Sequence, residues 1–152
     1  MNENSIEKIS EYLNQIKGKC QLKDRKIAEK LSISTSELNC LKIFIEGSIK
    51  ISVKDLAERL NITSGGVTKI VGQLEEQGIL RRDMDPEDRR GILVSLTSKG
   101  RSLINKLHKI TNDYYTSMFS GLPDKEKEKI LSGLESLNEV WGKNTGDISG
   151  SC

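Results

Sequence analysis

Across Gly78 the apolar residues change their period, and few folds accommodate that change. Before it, Val67, Ile70, Val71 and Leu74 recur at the spacing of one helical face. After it, Ile92, Val94 and Leu96 alternate with Leu93 and Ser95, the spacing of a strand. Between the two runs lie residues 79–82 and then a polar stretch, 83–91, that contains Pro86 and ends on a glycine. Residues 79–96 therefore read as a two-stranded hairpin with a long charged tip. A helix over 64–77 that stops at a glycine feeds directly into it.

The elements upstream complete the pattern. Ser34-Thr35-Ser36-Glu37 has the spacing of a capping box, in which Ser34 and Glu37 each satisfy the other's backbone amide. The helix it starts carries Leu38, Leu41, Phe44 and Ile45, and Gly47 ends it. Ser52-Val53-Lys54-Asp55 is an acidic variant of the same start signal, opening a short helix with Leu56, Ala57 and Leu60 inward. Asn61-Ile62 makes a tight turn and Thr63 caps the next helix. Lys50-Ile51 is placed to add a short third strand.

Short helix, tight turn, helix, hairpin is the order of a winged helix-turn-helix. A helix of this width fits the major groove of DNA, and its first turns meet base edges. A charged hairpin beside it reaches phosphates or the minor groove, whose negative potential attracts arginine. With Val67, Ile70, Val71 and Leu74 inward, the outward residues of the 64–77 helix are Ser64, Gly65, Gly66, Thr68, Lys69 and Gln73. Gly65 and Gly66 are costly there, each about 1 kcal/mol relative to alanine in a helix. Either they soften a helix start, or they let the backbone approach DNA closely.

Flanking helices bear apolar stripes of their own. Ile6, Ile9, Leu13 and Ile16 form one, which Gly18 interrupts before helix resumes over 22–30. Thr97 caps a long helix with Leu103, Leu107, Ile110, Tyr114 and Met118. Pro123, suited to a first helical turn, opens a last helix with Ile130, Leu134, Leu137 and Trp141. The Gly/Ser/Asn-rich residues 143–152 read as a flexible tail. The stripes either pack on their own domain or on a second copy. With only 35% hydrophobic residues, the chain looks like a subunit that shares part of its core, and equally like a plain helical domain.

The organisation is thus mainly α with a small β-hairpin wing. Residues 1–32 hold N-terminal helices, 33–98 the winged helix-turn-helix, and 99–142 the C-terminal helices. A net charge of +2 permits nucleic-acid binding without arguing for it, and around the hairpin the acidic residues nearly offset the basic ones. No apolar run is long enough to cross a membrane or form a signal-peptide core. Three dispersed cysteines, Cys20, Cys40 and Cys152, fit free thiols in a reducing, cytoplasmic setting. No glycine-rich phosphate loop, Ser/His/Asp set or Cys–His motif of an enzyme is present. His108 is the only histidine, which disfavours a metal site, and no cofactor is expected.

Specific stretches resemble the MarR family of transcription regulators. They are Ser52-Val53-Lys54-Asp55-Leu56-Ala57-Glu58-Arg59-Leu60, Val67-Thr68-Lys69-Ile70-Val71 and Leu74-Glu75-Glu76-Gln77-Gly78. More specific still are Arg81-Arg82-Asp83-Met84-Asp85-Pro86-Glu87-Asp88-Arg89-Arg90 and Leu96-Thr97-Ser98-Lys99-Gly100-Arg101, which together resemble the family's wing signature. The resemblance implies a homodimer whose terminal helices interlock into a dimerisation domain, bound to a pseudo-palindromic double-stranded DNA operator. It implies that Asp88 orients the Arg90 guanidinium into the minor groove, that Arg89 meets phosphate, and that Ser64, Gly65, Gly66, Thr68 and Lys69 face the major groove. Because two of these are glycines, base readout falls to Ser64, Thr68, Lys69, Gln73 and DNA shape. The alternative for Asp88 and Arg90 is an exposed ion pair without function.

The resemblance also implies a repressor relieved by a small-molecule effector. Tyr12, Tyr114 and Phe119 are candidates for lining its pocket, the alternative being dimer core. Cys20, among Lys17, Lys19 and Lys23, is a candidate redox sensor. A winged helix used for protein–protein assembly is a further alternative, against which the arginines of the wing tip argue.

Overall fold

A computed structural model describes residues 3–45, 47, 50–88 and 90–144. Its elements run α1 (Glu3–Leu31), α2 (Thr35–Ile45), β1 (Lys50–Ser52), α3 (Val53–Leu60), α4 (Ser64–Glu76), β2 (Leu80–Met84), β3 (Ile92–Leu96), α5 (Ser98–Phe119) and α6 (Asp124–Asn144). The chain divides into two compact units, one ending at Ile110 and the other beginning at Thr111, so α5 contributes to both.

The local signals are realised as hydrogen bonds. Glu37 N–H donates to Ser34 Oγ at 3.1 Å, and Ser34 N–H donates to the Glu37 carboxylate at 2.6 Å. Ser52 caps α3 through Asp55 N–H, and Thr63 caps α4 through Gly66 N–H at 3.1 Å. Asn61 closes α3 in the left-handed conformation, at φ 51°, which asparagine tolerates better than most side chains. Gly78 does the same after α4, at φ 71°.

In the first unit α2, α3, α4 and the sheet surround one core. Leu41, Leu56, Val67, Val71, Leu74 and Val94 are wholly buried in it. A smaller cluster joins Ile27 and Ala28 of α1 to Leu38 of α2 and Leu107 of α5. The sheet order is β1-β3-β2, antiparallel throughout, so the expected third strand is present and β3 lies in the middle.

The junction after the hairpin is tightly built. Thr97 donates its backbone N–H to Ile79 O and its hydroxyl to Gly78 O, while accepting Gly100 N–H. Lys99 Nζ donates to Gln77 O at 2.6 Å. A Cβ at Gly100 would stand 2.2 Å from Ile79 O, so no larger residue fits without moving backbone. One Thr-x-x-Gly step therefore caps α5 and fixes the exit of α4 against the entry of β2.

Three expectations need correction. Gly18 does not interrupt the first helix: α1 is continuous over 29 residues. A single helical glycine costs only about 1 kcal/mol, which turns on both sides offset, and a Cβ there would meet nothing within 4 Å. The alternation in β3 is also incomplete, since Ser95 is buried whereas Ile92 is exposed. As a central strand β3 is covered more broadly, and Arg81 Nε–H donates to Ser95 Oγ at 3.1 Å. Finally, Pro123 lies just before α6 rather than in its first turn, its carbonyl accepting from Glu126 N–H and Lys127 N–H.

The second unit comprises the end of α5 and all of α6. Along α6, Ile130, Leu131, Leu134, Val140 and Trp141 are exposed, as are Tyr114 and Met118 on α5. In the first unit, α1 similarly exposes Ile6, Ile9, Tyr12, Ile16 and Leu22.

Candidate nucleic-acid interface

The inward face of α4 is the one expected: Val67, Ile70, Val71 and Leu74 are all buried. Its opposite face is correspondingly open. Ser64, Gly65, Thr68, Lys69 and Gln73 are exposed, and Gly66 is half-buried. The Thr68 hydroxyl donates to Ser64 O at 2.9 Å, which fixes its rotamer. The turn that carries α4 is braced by Ile62 N–H on Ala57 O at 3.1 Å.

Nothing inside the fold requires either glycine. A Cβ at Gly65 would lie 3.9 Å from Thr63 Oγ1, and one at Gly66 would lie 3.4 Å from the same atom and 3.5 Å from Ile62 Cδ1. Both are ordinary contacts, and neither residue has a positive φ. Alanine would fit at both positions and favour the helix.

The wing tip is held by its own aspartates. Asp85 N–H donates to Gly91 O, and Gly91 N–H donates to Asp88 O at 2.8 Å. The carboxylates close two further turns, Asp85 on Glu87 N–H and Asp88 on Arg90 N–H at 3.0 Å. Asp88 thus grips the Arg90 peptide and fixes the point from which that exposed side chain departs. Gly91 is tightly enclosed, since a Cβ would meet Asp85 Cβ at 3.1 Å and Asp88 O at 3.2 Å. Arg89 lies outside the described residues.

Between α3, the start of α4 and the wing runs a groove of about 940 Å³. Ser64 and Arg90 both line it, so the start of α4 and the wing tip share one concave surface. Lys50, Lys54 and Arg59 also line it, which sequence reasoning missed because only the β1–β3 pairing brings Lys50 there. Asp55, Glu58, Asp85 and Asp88 offset these charges, so the surface is a patterned site and not a uniformly positive trough.

A sequence model of the MarR family matches residues 37–92. YdgJ, an uncharacterized helix-turn-helix transcriptional regulator of Bacillus subtilis, is 31% identical over 125 residues, 82% of this chain and 76% of YdgJ. The chain belongs to the MarR family. MarR proteins are transcription regulators and not enzymes. YkoM of the same organism, also an uncharacterized regulator, is 33% identical over 79 residues, and the match spans about half of each chain, 52% here and 51% of YkoM. Among solved structures, a MarR family protein from Bacillus stearothermophilus superposes with a TM-score of 0.84 at 18% identity, covering 93% of this chain and 99% of that one. A mutant of S. aureus MepR bound to an oligodeoxyribonucleotide superposes with a TM-score of 0.63 at 21% identity, covering 87% and 96%. These two likenesses concern the fold.

The remaining candidates fall elsewhere on this MarR fold. Tyr12 is exposed on α1 in the first unit. In the second unit, Tyr114 meets Tyr115 edge-on at 5.3 Å, and Tyr115 stacks on Phe119 at 6.4 Å. Phe119 also lines an apolar crevice of about 310 Å³ with Ile130, Leu131 and Leu134. Cys20 is exposed on α1, whereas Cys40 is buried. Burial, and then the nearby Glu37 carboxylate, push the Cys40 thiol up to about 12, which keeps it protonated and unreactive. Cys152 lies outside the described residues, and no described helix is long and apolar enough to cross a membrane.

Proposed function

We propose that this MarR protein binds double-stranded DNA sequence-specifically as a homodimer and represses transcription until a small-molecule effector releases it. The observation that carries the reading is the shared groove. Ser64, at the start of α4 with its open polar face, lines it together with Arg90 of the wing tip. Ser64, Gly65, Gly66, Thr68, Lys69 and Gln73 meet the major groove, and Asp88, Arg89 and Arg90 serve the minor groove and its phosphates. The oligodeoxyribonucleotide on MepR supports the same use of a shared fold.

The exposed stripes support dimerisation. Five large apolar residues of α1 and five of α6 face solvent in the single chain. Covering such side chains stabilises by about 1.5–3 kcal/mol each when burial is complete, so a second copy with the same stripes is the natural cover. For the effector, the support is the aromatic cluster and apolar crevice at Phe119, whose size suits a small aromatic molecule.

Titration of fluorescent duplex DNA at several salt concentrations tests the reading. Binding should weaken linearly in log–log form as salt rises, because Lys and Arg contacts release counterions. A winged helix built for protein assembly would show little binding at any salt concentration.

A further inference from the structure

Arg82 belongs to a strand, yet its side chain lies on the outward face of α4. Gly65, Thr68 and Gly72 stand one above another on that helix, at i, i+3 and i+7. A Cβ at Gly72 would lie 3.3 Å from Arg82 Nη2, so the guanidinium occupies the place where an α4 side chain would stand. Arg82 Nε approaches Glu75 Oε2 at 3.0 Å. The Nε atom is shut off from water and makes no well-directed hydrogen bond, so Glu75 holds it as an ion pair.

This contact sits where it controls the hairpin. Arg82 faces Val94 in the β2–β3 ladder, two residues before Met84, where the strand gives way to the tip. Across the base of the tip Asp85 N–H donates to Gly91 O at 3.0 Å, which ties Gly91, the residue after Arg90, to the end of β2. A rotation of β2 about α4 would carry Arg90 with it.

We propose that Arg82 is a positioning residue of the DNA interface: seated in the slot at Gly72 and clasped by Glu75, it sets the wing's angle against α4 and hence the reach of Arg90. This rests on the DNA-binding reading above. Gly72 leaves the guanidinium its seat, which a methyl group would press by a few tenths of an ångström and a longer side chain would take, and Glu75 keeps the arginine lying along the helix.

The test is a double-mutant cycle on a duplex that the wild-type protein has selected from a random pool, with thermal unfolding followed in parallel. Arg82→Gln should weaken binding by roughly three- to ten-fold, within the range of couplings between interacting residues. Gly72→Ala, which keeps both charges and asks the guanidinium for only a small shift, should weaken binding less than Arg82→Gln does. With Arg90→Ala already present, Arg82→Gln should cost less than about two-fold, because the wing has nothing left to aim. Equal losses in both backgrounds would overturn the inference, leaving Arg82 a direct contact or a purely structural residue. If Arg90→Ala alone left affinity unchanged, the role of the wing itself would fall, and this inference with it.

Discussion

Gly65→Ala should move stability and DNA affinity in opposite directions. In the free protein the new methyl group meets only Thr63 Oγ1, at 3.9 Å, so it incurs no packing penalty. It removes backbone freedom from the unfolded chain, a gain of about 0.5–1 kcal/mol, or roughly 1–4 °C in melting temperature for a chain of this length. On DNA the same methyl group stands between the helix backbone and the groove floor. If the backbone there packs closely, an extra carbon costs about 1–3 kcal/mol by analogy with overpacked cores, or roughly 5- to 150-fold in Kd. Gly18→Ala is the control. It lies mid-helix in α1 with nothing within 4 Å of its Cβ, so it should raise stability alone. Differential scanning calorimetry and fluorescence anisotropy measure the two quantities. A Gly65→Ala protein that is more stable and binds DNA as tightly as wild type would refute close backbone approach at α4.

Further outcomes follow from the same geometry. Gly100→Ala should destabilise by about 1–3 kcal/mol in urea unfolding, because its Cβ would collide with the Ile79 carbonyl at 2.2 Å. Arg90→Ala should weaken DNA binding and flatten the log–log salt slope by about two, one for each subunit of the dimer, while sedimentation shows an unchanged assembly. Leu134→Asp should shift that assembly towards monomer, since Leu134 lies on the exposed stripe of α6. The Cys40 thiol is raised in the folded state, from 9.0 to about 12, so its contribution to stability is complete below about pH 9 and is lost as pH climbs towards 12. Cys40→Ala should therefore flatten alkaline unfolding over that window, and thiol labelling of native protein mapped by mass spectrometry should find Cys20 modified and Cys40 untouched.

What the sequence made legible was local. The apolar face of α4 needed only its own spacing, and the capping box at Ser34 and the cap at Ser52 needed only residues three apart. Gly18 misled because glycine marks helix ends only where the backbone must turn left-handed, as it does at Gly47 and Gly78. What stayed hidden was formed across elements. Lys50 reaches the groove only because β1 pairs with β3, and the Arg82–Gly72 contact depends on how β2 lies over α4. Likewise Glu37 reads as a capping residue, but it is also buried and accepts from Gln77 Nε2 at 2.7 Å, tying α2 to the end of α4. Such contacts have no signature in spacing, because their partners are far apart in the chain.

The most direct test of a dimeric winged helix reading DNA is selection from a random duplex pool. The expected product is an inverted repeat with half-site centres about one helical turn, roughly 10 base pairs, apart, lost from the pool when the selecting protein carries Arg90→Ala. Enrichment of no sequence, or of a single half-site without its inverted partner, would contradict the account.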